Sequence, residues 1–232
     1  MRFLANLKCN HTRASFAKYA EILDANLSAN DDVTVFPPFS ALDLAAHKFK
    51  LGAQNFYPCE SGAHTGEIGK AMLDEFGVKS VLIGHSERRE LGESEELLRA
   101  KFDFAAKAGW QIVYCIGENL SVNEAGRTKE FLAGQLKNIE LGYERLLIAY
   151  EPVWAIGTGK SASAGQIEEI LNFIREQTNA PLLYGGSVNA ANIGGIVGIA
   201  NCDGVLVGTA SWDASKFLEL IRAHSHRYTS LS

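Results

Sequence analysis

The chain has 232 residues, of which 47% are hydrophobic and 21% are charged, and its formal net charge at pH 7 is −5. This is the composition of a globular protein, and the lack of a lysine or arginine block, or of an apolar run of about 20 residues, argues against nucleic-acid and membrane partners. The four cysteines are scattered with no C-x-x-C pair, which is typical of reduced thiols in a cytoplasmic protein and not of a disulfide or zinc framework.

Short apolar runs bounded by glycine, proline or asparagine recur along the whole chain. Each is nearly continuous in apolar residues, a pattern typical of strands buried on both faces of a parallel sheet. The sequence therefore predicts eight strands, at residues 3–8, 33–37, 51–55, 80–85, 111–117, 146–152, 181–186 and 204–208.

Amphipathic helical patterns separate these strands. In the segment 93–109, acidic residues come early, apolar residues recur at helical spacing, and Gly109 stands at the position of a C-cap. The segment 163–178 opens with Ser163 and Gln166 at capping-box spacing. Eight strand–helix units predict an α/β fold, a single-domain (β/α)8 barrel over residues 1–232, with an open doubly wound sheet as the alternative.

Polar and charged side chains stand at the carboxyl ends of several predicted strands, which is where (β/α)8 barrels carry their active sites. Asn6 and Lys8 end the first strand, His85 ends the fourth, and Glu151 ends the sixth. Each taken alone is typical of a solvated strand end, but together they favour one site. Pro152 biases Glu151 toward an extended backbone, so its carboxylate is held in place as a candidate general base.

His85 precedes a short helical pattern, with Ser86 as a candidate N-cap and Glu87 in the first turn. The positive end of that helix dipole disfavours the imidazolium, so we expect a neutral imidazole that can donate a hydrogen bond to a carbonyl oxygen. Lys8 supplies a compact positive charge for an anionic substrate or a developing oxyanion.

Two glycine turns, YGGSV (184–188) and VGTAS (207–211), follow the last two strands. Such turns can direct backbone N–H groups toward a phosphate, and they predict a phosphate site. Two apparent motifs are excluded. GTGKS (157–161) has Trp154 where a P-loop needs its first glycine, and GGSVN (185–189) has Asn189 where a nucleophile elbow needs its last. We recognise no metal site and no cofactor fingerprint.

Several segments together resemble the triosephosphate isomerase family, in order and through most of the chain. They are ANLKCN (5–10), AQN (53–55), GAHTGEIG (62–69), IGHSERR (83–89), CIGE (115–118), AYEPVWAIGTGK (149–160) and YGGSV (184–188). The resemblance implies an aldose–ketose isomerase of glycolysis and gluconeogenesis, without a cofactor or metal. Its reaction is the interconversion of D-glyceraldehyde 3-phosphate and dihydroxyacetone phosphate through an enediolate.

The resemblance also implies a role for each site residue. Glu151 is the base that moves a proton between C1 and C2, His85 is the neutral electrophile, and Lys8 with Asn6 holds the substrate and its negative charge. The segment 152–160 is a mobile lid. The other implied residues are Gly157, Ser187, Gly208 and Thr209 at the phosphate, with Glu87 and Cys115 as supporting groups.

The segment 55–69 is long and glycine-rich for a connection between a strand and a helix. By resemblance it inserts into a neighbouring subunit with Thr65 at its tip, which implies a homodimer. Two residues depart from the family pattern, because Leu7 stands where tryptophan is usual and Thr209 where a second glycine is usual. Thr209 keeps a backbone N–H, which serves the phosphate provided that threonine can adopt the backbone angles of the turn.

Two alternatives to the isomerase remain open. Another phosphosugar enzyme on the same barrel, such as a Schiff-base aldolase, would need a buried nucleophilic lysine, but the sixth strand ends in Glu151. A phosphate-ligand-binding protein without catalysis would need the glycine turns but not Glu151. The combination of Lys8, His85 and Glu151 favours the isomerase.

Overall fold

The computed structural model describes residues 1–156 and 162–229, with side chains up to residue 223. These residues contain eight strands, seven of them at the predicted positions, whereas the third shares only Leu51 with its predicted range of 51–55. They are β1 (Arg2–Asn6), β2 (Asp32–Phe36), β3 (Lys50–Leu51), β4 (Ser80–Ile83), β5 (Gln111–Ile116), β6 (Leu146–Tyr150), β7 (Leu182–Tyr184) and β8 (Gly204–Val207).

Helices occupy most of the connections between strands and continue after the last one. They are α1 (Arg13–Asn26), α2 (Lys70–Glu75), α3 (Ser86–Glu90), α4 (Glu95–Lys107), α5 (Leu120–Glu124), α6 (Thr128–Leu136), α7 (Ala164–Arg175), α8 (Ile193–Ile196) and α9 (Ala214–Thr229). Short 3₁₀ helices lie at Phe39–Ala41, Val153–Ala155 and Thr209–Ser211. Among the described residues, no helix is both long enough and apolar enough to cross a bilayer.

The strands form one parallel sheet in the order β3-β2-β1-β8-β7-β6-β5-β4. A parallel bridge between Ala53 and Val81 joins the two ends of this order, with hydrogen bonds from Ala53 N to Ser80 O (2.9 Å) and from Leu82 N to Ala53 O (3.0 Å). Because the first and last strands are thus brought together, the sheet is a nearly closed barrel, and the predicted barrel is confirmed over the open sheet.

Alternate residues of each strand point into the barrel or out toward the helices. The inward set forms its own apolar cluster, made of Leu4, Phe36, Leu82, Val113, Cys115, Leu147, Ala149, Leu183 and Leu206. The outward set packs against the helices in a second, larger cluster. Leu7 belongs to the outward set and is fully buried, so this departure from the family pattern places a leucine in the outer core.

The same alternation decides which residues face the mouth of the barrel. Asn6, Glu151, Gly185 and Gly208 each follow an inward residue of the interior cluster by two positions. They therefore point into the barrel at its carboxyl end.

The ends of the helices confirm one predicted cap and correct another. Ser163 and Gln166 form the capping box of α7, with both reciprocal hydrogen bonds present. The prediction that Ser86 caps α3 is wrong, because Ser86 is the first helical residue and the N-cap is His85, whose side chain accepts from Glu87 N. The imidazole thereby takes the position that a serine hydroxyl would otherwise fill.

Candidate active site

A cavity of about 250 Å³ opens at the carboxyl end of the barrel. Strands β1, β4, β6, β7 and β8 all reach its wall at their carboxyl ends. The predicted site residues that line it are Asn6, Lys8, His85, Glu151, Ser187, Gly208 and Thr209. The other lining residues lie in predicted segments: Ile156 in the lid, Gly185, Gly186, Val188 and Ala210 in the two glycine turns, and Leu206 in the eighth strand. Predicted Gly157 lies outside the described residues.

Glu151 is the acid of this cavity, and its side chain is only 2% exposed. One carboxylate oxygen lies 2.9 Å from His85 Nε2, and the other accepts a hydrogen bond from Ser86 N at 2.9 Å. The carboxylate therefore has a partner for each oxygen although it is almost completely removed from water.

Glu151 occupies space that is free because two neighbouring residues are glycines. A Cβ atom on Gly117, at the end of β5, would lie 1.8 Å from the Glu151 carbonyl oxygen. A Cβ on Gly185, at the end of β7, would lie 3.0 Å from Glu151 Cγ. Glycine at these positions is thus a condition for the carboxylate to sit where it does.

The two ring nitrogens of His85 have different partners. Nδ1 accepts a hydrogen bond from Glu87 N at 3.2 Å, and because a backbone N–H can only donate, the ring proton of a neutral His85 is on Nε2. That proton points at Glu151. Burial lowers the pKa of His85, but the carboxylates of Glu151 and Glu87 raise it more, and the net shift is upward despite Lys8. This direction is opposite to the one expected from the helix dipole.

Lys8 lies across the mouth of the barrel in an unusual backbone conformation, with φ at +52°. Its backbone N donates to Asn6 Oδ1 at 3.1 Å, and its Nζ lies 2.5 Å from a Glu87 carboxylate oxygen. A Cβ on Gly208 would lie 3.2 Å from Lys8 Cε. The lysine stem therefore passes directly over the Gly208 turn, where the phosphate site is predicted.

The turns after β7 and β8 both line the cavity. Among the described residues, the N–H groups of Ser187 and Thr209 have no hydrogen-bond acceptor. Thr209 begins the 3₁₀ helix Thr209–Ser211 and is not among the described non-glycine residues with positive φ. A threonine is therefore compatible with this turn.

Three other predicted residues lie away from the cavity wall. Glu87 reaches the site through its contacts with Lys8 and His85. Cys115 is fully buried inside the barrel, and its pKa is raised well above its ordinary value by burial and by the Glu151 charge, so it remains a thiol. Thr65 is exposed on the connection 55–69.

Two residues with contacts to the site were given no role in the sequence analysis. Glu118, just after β5, is fully buried, and its Oε1 accepts from Trp154 Nε1 at 2.8 Å and from Tyr150 Oη at 3.2 Å. Val153 N donates to the Glu118 carbonyl at 3.1 Å, so Glu118 holds the start of the predicted lid segment. Gln54 contacts Lys8. Both are polar residues next to strand ends, which is a signal that the sequence carries. Their partners are distant in sequence, so the sequence does not show what each of them contacts.

Comparison with known proteins supplies an independent result. The sequence profile of the family described as "Triosephosphate isomerase" matches residues 1–224. A triosephosphate isomerase of Campylobacter curvus is 77% identical over 228 residues, covering 98% of this chain and 100% of the relative. That of Campylobacter concisus is 74% identical over 226 residues, with 97% and 100% covered. That of Campylobacter jejuni subsp. doylei is 55% identical over 223 residues, with 96% and 100% covered.

Proposed function

The chain belongs to the triosephosphate isomerase family, and we propose that Glu151, His85 and Lys8 carry out its reaction. The activity is the interconversion of D-glyceraldehyde 3-phosphate and dihydroxyacetone phosphate, an intramolecular oxidation and reduction. One proton leaves a carbon, an enediolate forms, and a proton returns to the neighbouring carbon. No net oxidant is required.

Glu151 is the proposed base. Its carboxylate accepts from His85 and from Ser86 N, so it must leave these partners to reach a substrate carbon. The substrate carbonyl oxygen then takes the place of the carboxylate in front of His85 Nε2. This exchange conserves the hydrogen bond of His85 and frees a desolvated carboxylate, which is a stronger base than one in water.

His85 is the proposed electrophile. The contact with Glu151 is the largest influence that raises its pKa, whereas burial and the Lys8 charge both lower it. When Glu151 turns to the substrate, the balance shifts toward a neutral imidazole. Glu87 N keeps Nδ1 as an acceptor, so the Nε2–H group stays directed at the carbonyl oxygen, where negative charge develops.

Lys8 and the two glycine turns are the proposed anion site. The ammonium group offers a positive charge at the cavity wall, and the N–H groups of Ser187, Gly208 and Thr209 suit the oxygens of a phosphate. Asn6 supports Lys8 because its side-chain oxygen accepts a hydrogen bond from the Lys8 backbone N–H. Gly157 belongs to the same proposal, as part of a lid over residues 152–160 that excludes water from the enediolate.

The convergence of Glu151, His85 and Lys8 on one cavity is the observation that carries this proposal. Glu151→Gln keeps the shape of the side chain but removes its basicity. We expect kcat in a coupled triose phosphate assay to fall by about 10²- to 10⁴-fold. Glu144→Gln, which changes an exposed glutamate before β6, is the matched control and should keep full activity.

The same preparations separate the isomerase from its alternatives. In deuterated water, the isomerase incorporates deuterium at C1 of dihydroxyacetone phosphate, whereas a phosphate-ligand-binding protein would bind without exchange. Borohydride trapping of a substrate adduct on Lys8 would identify a Schiff-base enzyme instead. Near-normal turnover in Glu151→Gln would rule out the assigned base.

We further propose a homodimer formed through the connection 55–69. Residues 60–67 are exposed, so this connection is accessible to a second copy of the chain. Sedimentation velocity should give twice the chain mass of 25.2 kDa. Thr65→Arg should shift the protein toward the monomer, while Ser121→Arg on α5 should not. A monomeric wild-type protein at micromolar concentration would contradict the proposal.

We also propose that residues 1–232 form one domain and that the protein is cytoplasmic. The first is supported by a single sheet whose strands run from Arg2 to Val207. The second is supported by the four free cysteines, Cys9, Cys59, Cys115 and Cys202, which suit a reducing compartment.

A further inference from the structure

Lys8 has a backbone conformation that residues with a side chain rarely adopt. Its φ of +52° lies in the left-handed region, which among the described non-glycine residues is shared only by His11. A lysine keeps such a conformation where surrounding contacts impose it. The direction of the lysine side chain depends on this turn, so whatever holds the turn also aims the ammonium group.

Three contacts hold the residue at three points. Asn6 Oδ1 accepts from the backbone N–H of Lys8 at 3.1 Å, and Glu87 pairs with the ammonium group at 2.5 Å. The third contact is on the carbonyl, where Gln54 Nε2 donates at 2.9 Å. Among the described residues, no donor other than Gln54 makes a hydrogen bond to this carbonyl.

The backbone next to Gln54 is fixed by the barrel itself. Gly52 N donates to Val35 O at 2.9 Å, and Ala53 N donates to Ser80 O at 2.9 Å. The chain at 52–53 is therefore bonded to β2 on one side and to β4 on the other. A side chain attached at this point has a rigid base, which is what a positioning residue needs.

The amide group of Gln54 uses both of its protons. Nε2 donates to Lys8 O at 2.9 Å and to Phe36 O at 2.8 Å, and so it links the carboxyl ends of β1 and β2 to the chain after β3. Phe36 O has a second donor, Leu7 N at 3.1 Å, whereas the Lys8 carbonyl relies on Gln54. A primary amide can make both bonds, and an ionised carboxylate of the same shape can make neither.

We propose that Gln54 is a positioning residue that holds the left-handed turn of Lys8 and thereby directs the ammonium group at the anionic substrate. The proposal rests on the role given above to Lys8 in the proposed function. Gln54 does not itself line the cavity, so its effect on the reaction passes through Lys8, the lining residue that it contacts.

Gln54→Met removes both donors while keeping the length of the side chain. We expect kcat/KM to fall by up to about 100-fold, as small misplacements of catalytic groups do. KM should rise, and inorganic phosphate should become a weaker competitive inhibitor, because the ammonium group is no longer aimed at the anion. Gln111→Met is the matched control. It changes a glutamine at the opposite end of the barrel, where Ser80 Oγ is its partner, and should leave kcat/KM unchanged.

A double-mutant cycle separates positioning from a general structural role. In the Lys8→Ala background, adding Gln54→Met should change kcat/KM by less than about twofold, because the group on which Gln54 acts is already gone. Losses that multiply in the double variant would overturn the proposal, as would a single variant with normal kcat/KM. Gln54→Asn keeps both amide donors on a shorter side chain, and its kcat/KM should lie between those of wild type and Gln54→Met. If Gln54→Met does not fold, Gln54→Asn replaces it in the cycle.

The cycle also distinguishes this proposal from the proposed function. If Lys8→Ala itself keeps wild-type kcat/KM, the role of Lys8 is wrong. If Lys8→Ala is impaired but Gln54→Met is not, the role of Lys8 stands and that of Gln54 is wrong.

Discussion

Glu151 and His85 form the central pair of the site, and each controls the chemical state of the other. Their side chains are 2.9 Å apart and nearly buried, so the charge of one acts on the other through little water. The carboxylate raises the pKa of His85 against the effect of burial. A neutral imidazole in the reaction therefore depends on where Glu151 is, and not only on the helix that follows His85.

This dependence can be measured by titration without substrate. Because the folded state raises the pKa of His85 above its ordinary value of 6.5, it binds that proton more tightly than the unfolded state. The group thus stabilises the fold below the unfolded pKa, and the contribution is lost as the pH rises through the folded pKa. In Glu151→Gln, burial and Lys8 should bring the pKa of His85 below 6.5.

NMR titration of the His85 ring in wild type and Glu151→Gln tests this expectation. Glu144→Gln, at an exposed glutamate before β6, is the matched control and should leave the titration of His85 as it is in wild type. An unchanged titration of His85 would show that the Glu151 carboxylate does not set its protonation.

At the scale of elements, the ends of β5 and β6 are packed against each other without space for a side chain. Cys115 pairs with Ala149, and Ile116 pairs with Tyr150. One residue further on, Gly117 meets the backbone of Glu151. The Glu151 carboxylate is therefore positioned by strand packing as well as by hydrogen bonds.

Gly117→Ala should impair both stability and catalysis. Its Cβ would lie 1.8 Å from the Glu151 carbonyl oxygen, so the end of β6 must move. We expect a loss of about 1–3 kcal/mol in the free energy of unfolding and a fall in kcat of about 100-fold.

Gly134→Ala is the control for this substitution. Gly134 lies in α6, with nothing within 4 Å of an added Cβ, and alanine there should stabilise the protein by about 0.5–1 kcal/mol. Urea unfolding and the coupled assay measure both effects. Normal activity in Gly117→Ala would show that Glu151 tolerates a shift of its strand.

At the scale of the whole molecule, the barrel has an apolar interior beneath a polar mouth. The interior cluster fills the space enclosed by the strands, and the site lies directly above it. The cavity wall takes residues from strands that are remote in sequence, so the site exists only when the sheet closes.

Leu147→Ala tests the interior packing. Leu147 is 3% exposed and belongs to the interior cluster, so its truncation should cost about 2–5 kcal/mol in the free energy of unfolding. Leu120→Ala, at a leucine that is 45% exposed, should cost far less. Both are measured by urea unfolding at one protein concentration, since any association shifts the apparent stability. Equal losses would contradict the interior placement.

Much of this architecture follows from local sequence patterns. Nearly continuous apolar runs predicted the number of strands and the positions of seven of them, and the Ser163–Gln166 spacing predicted the cap of α7. These signals are readable because strand burial and helix capping act over a few residues. The polar strand ends and the two glycine turns also identified residues that the fold brings to one cavity, from Asn6 to Thr209.

Only the tertiary structure decided which of these residues touch each other. That His85 caps α3 and pairs with Glu151, that Gln54 holds Lys8, and that Glu118 binds Trp154 could not be read from spacing. The last three contacts, of His85 with Glu151, of Gln54 with Lys8 and of Glu118 with Trp154, join residues that are 36 to 66 positions apart in the chain. Hydrogen bonds and charge effects depend on distances within a few ångströms. The sequence by itself thus determined most of the elements and the candidate reactive groups, whereas closure of the barrel determined their partners and the direction of the His85 pKa shift.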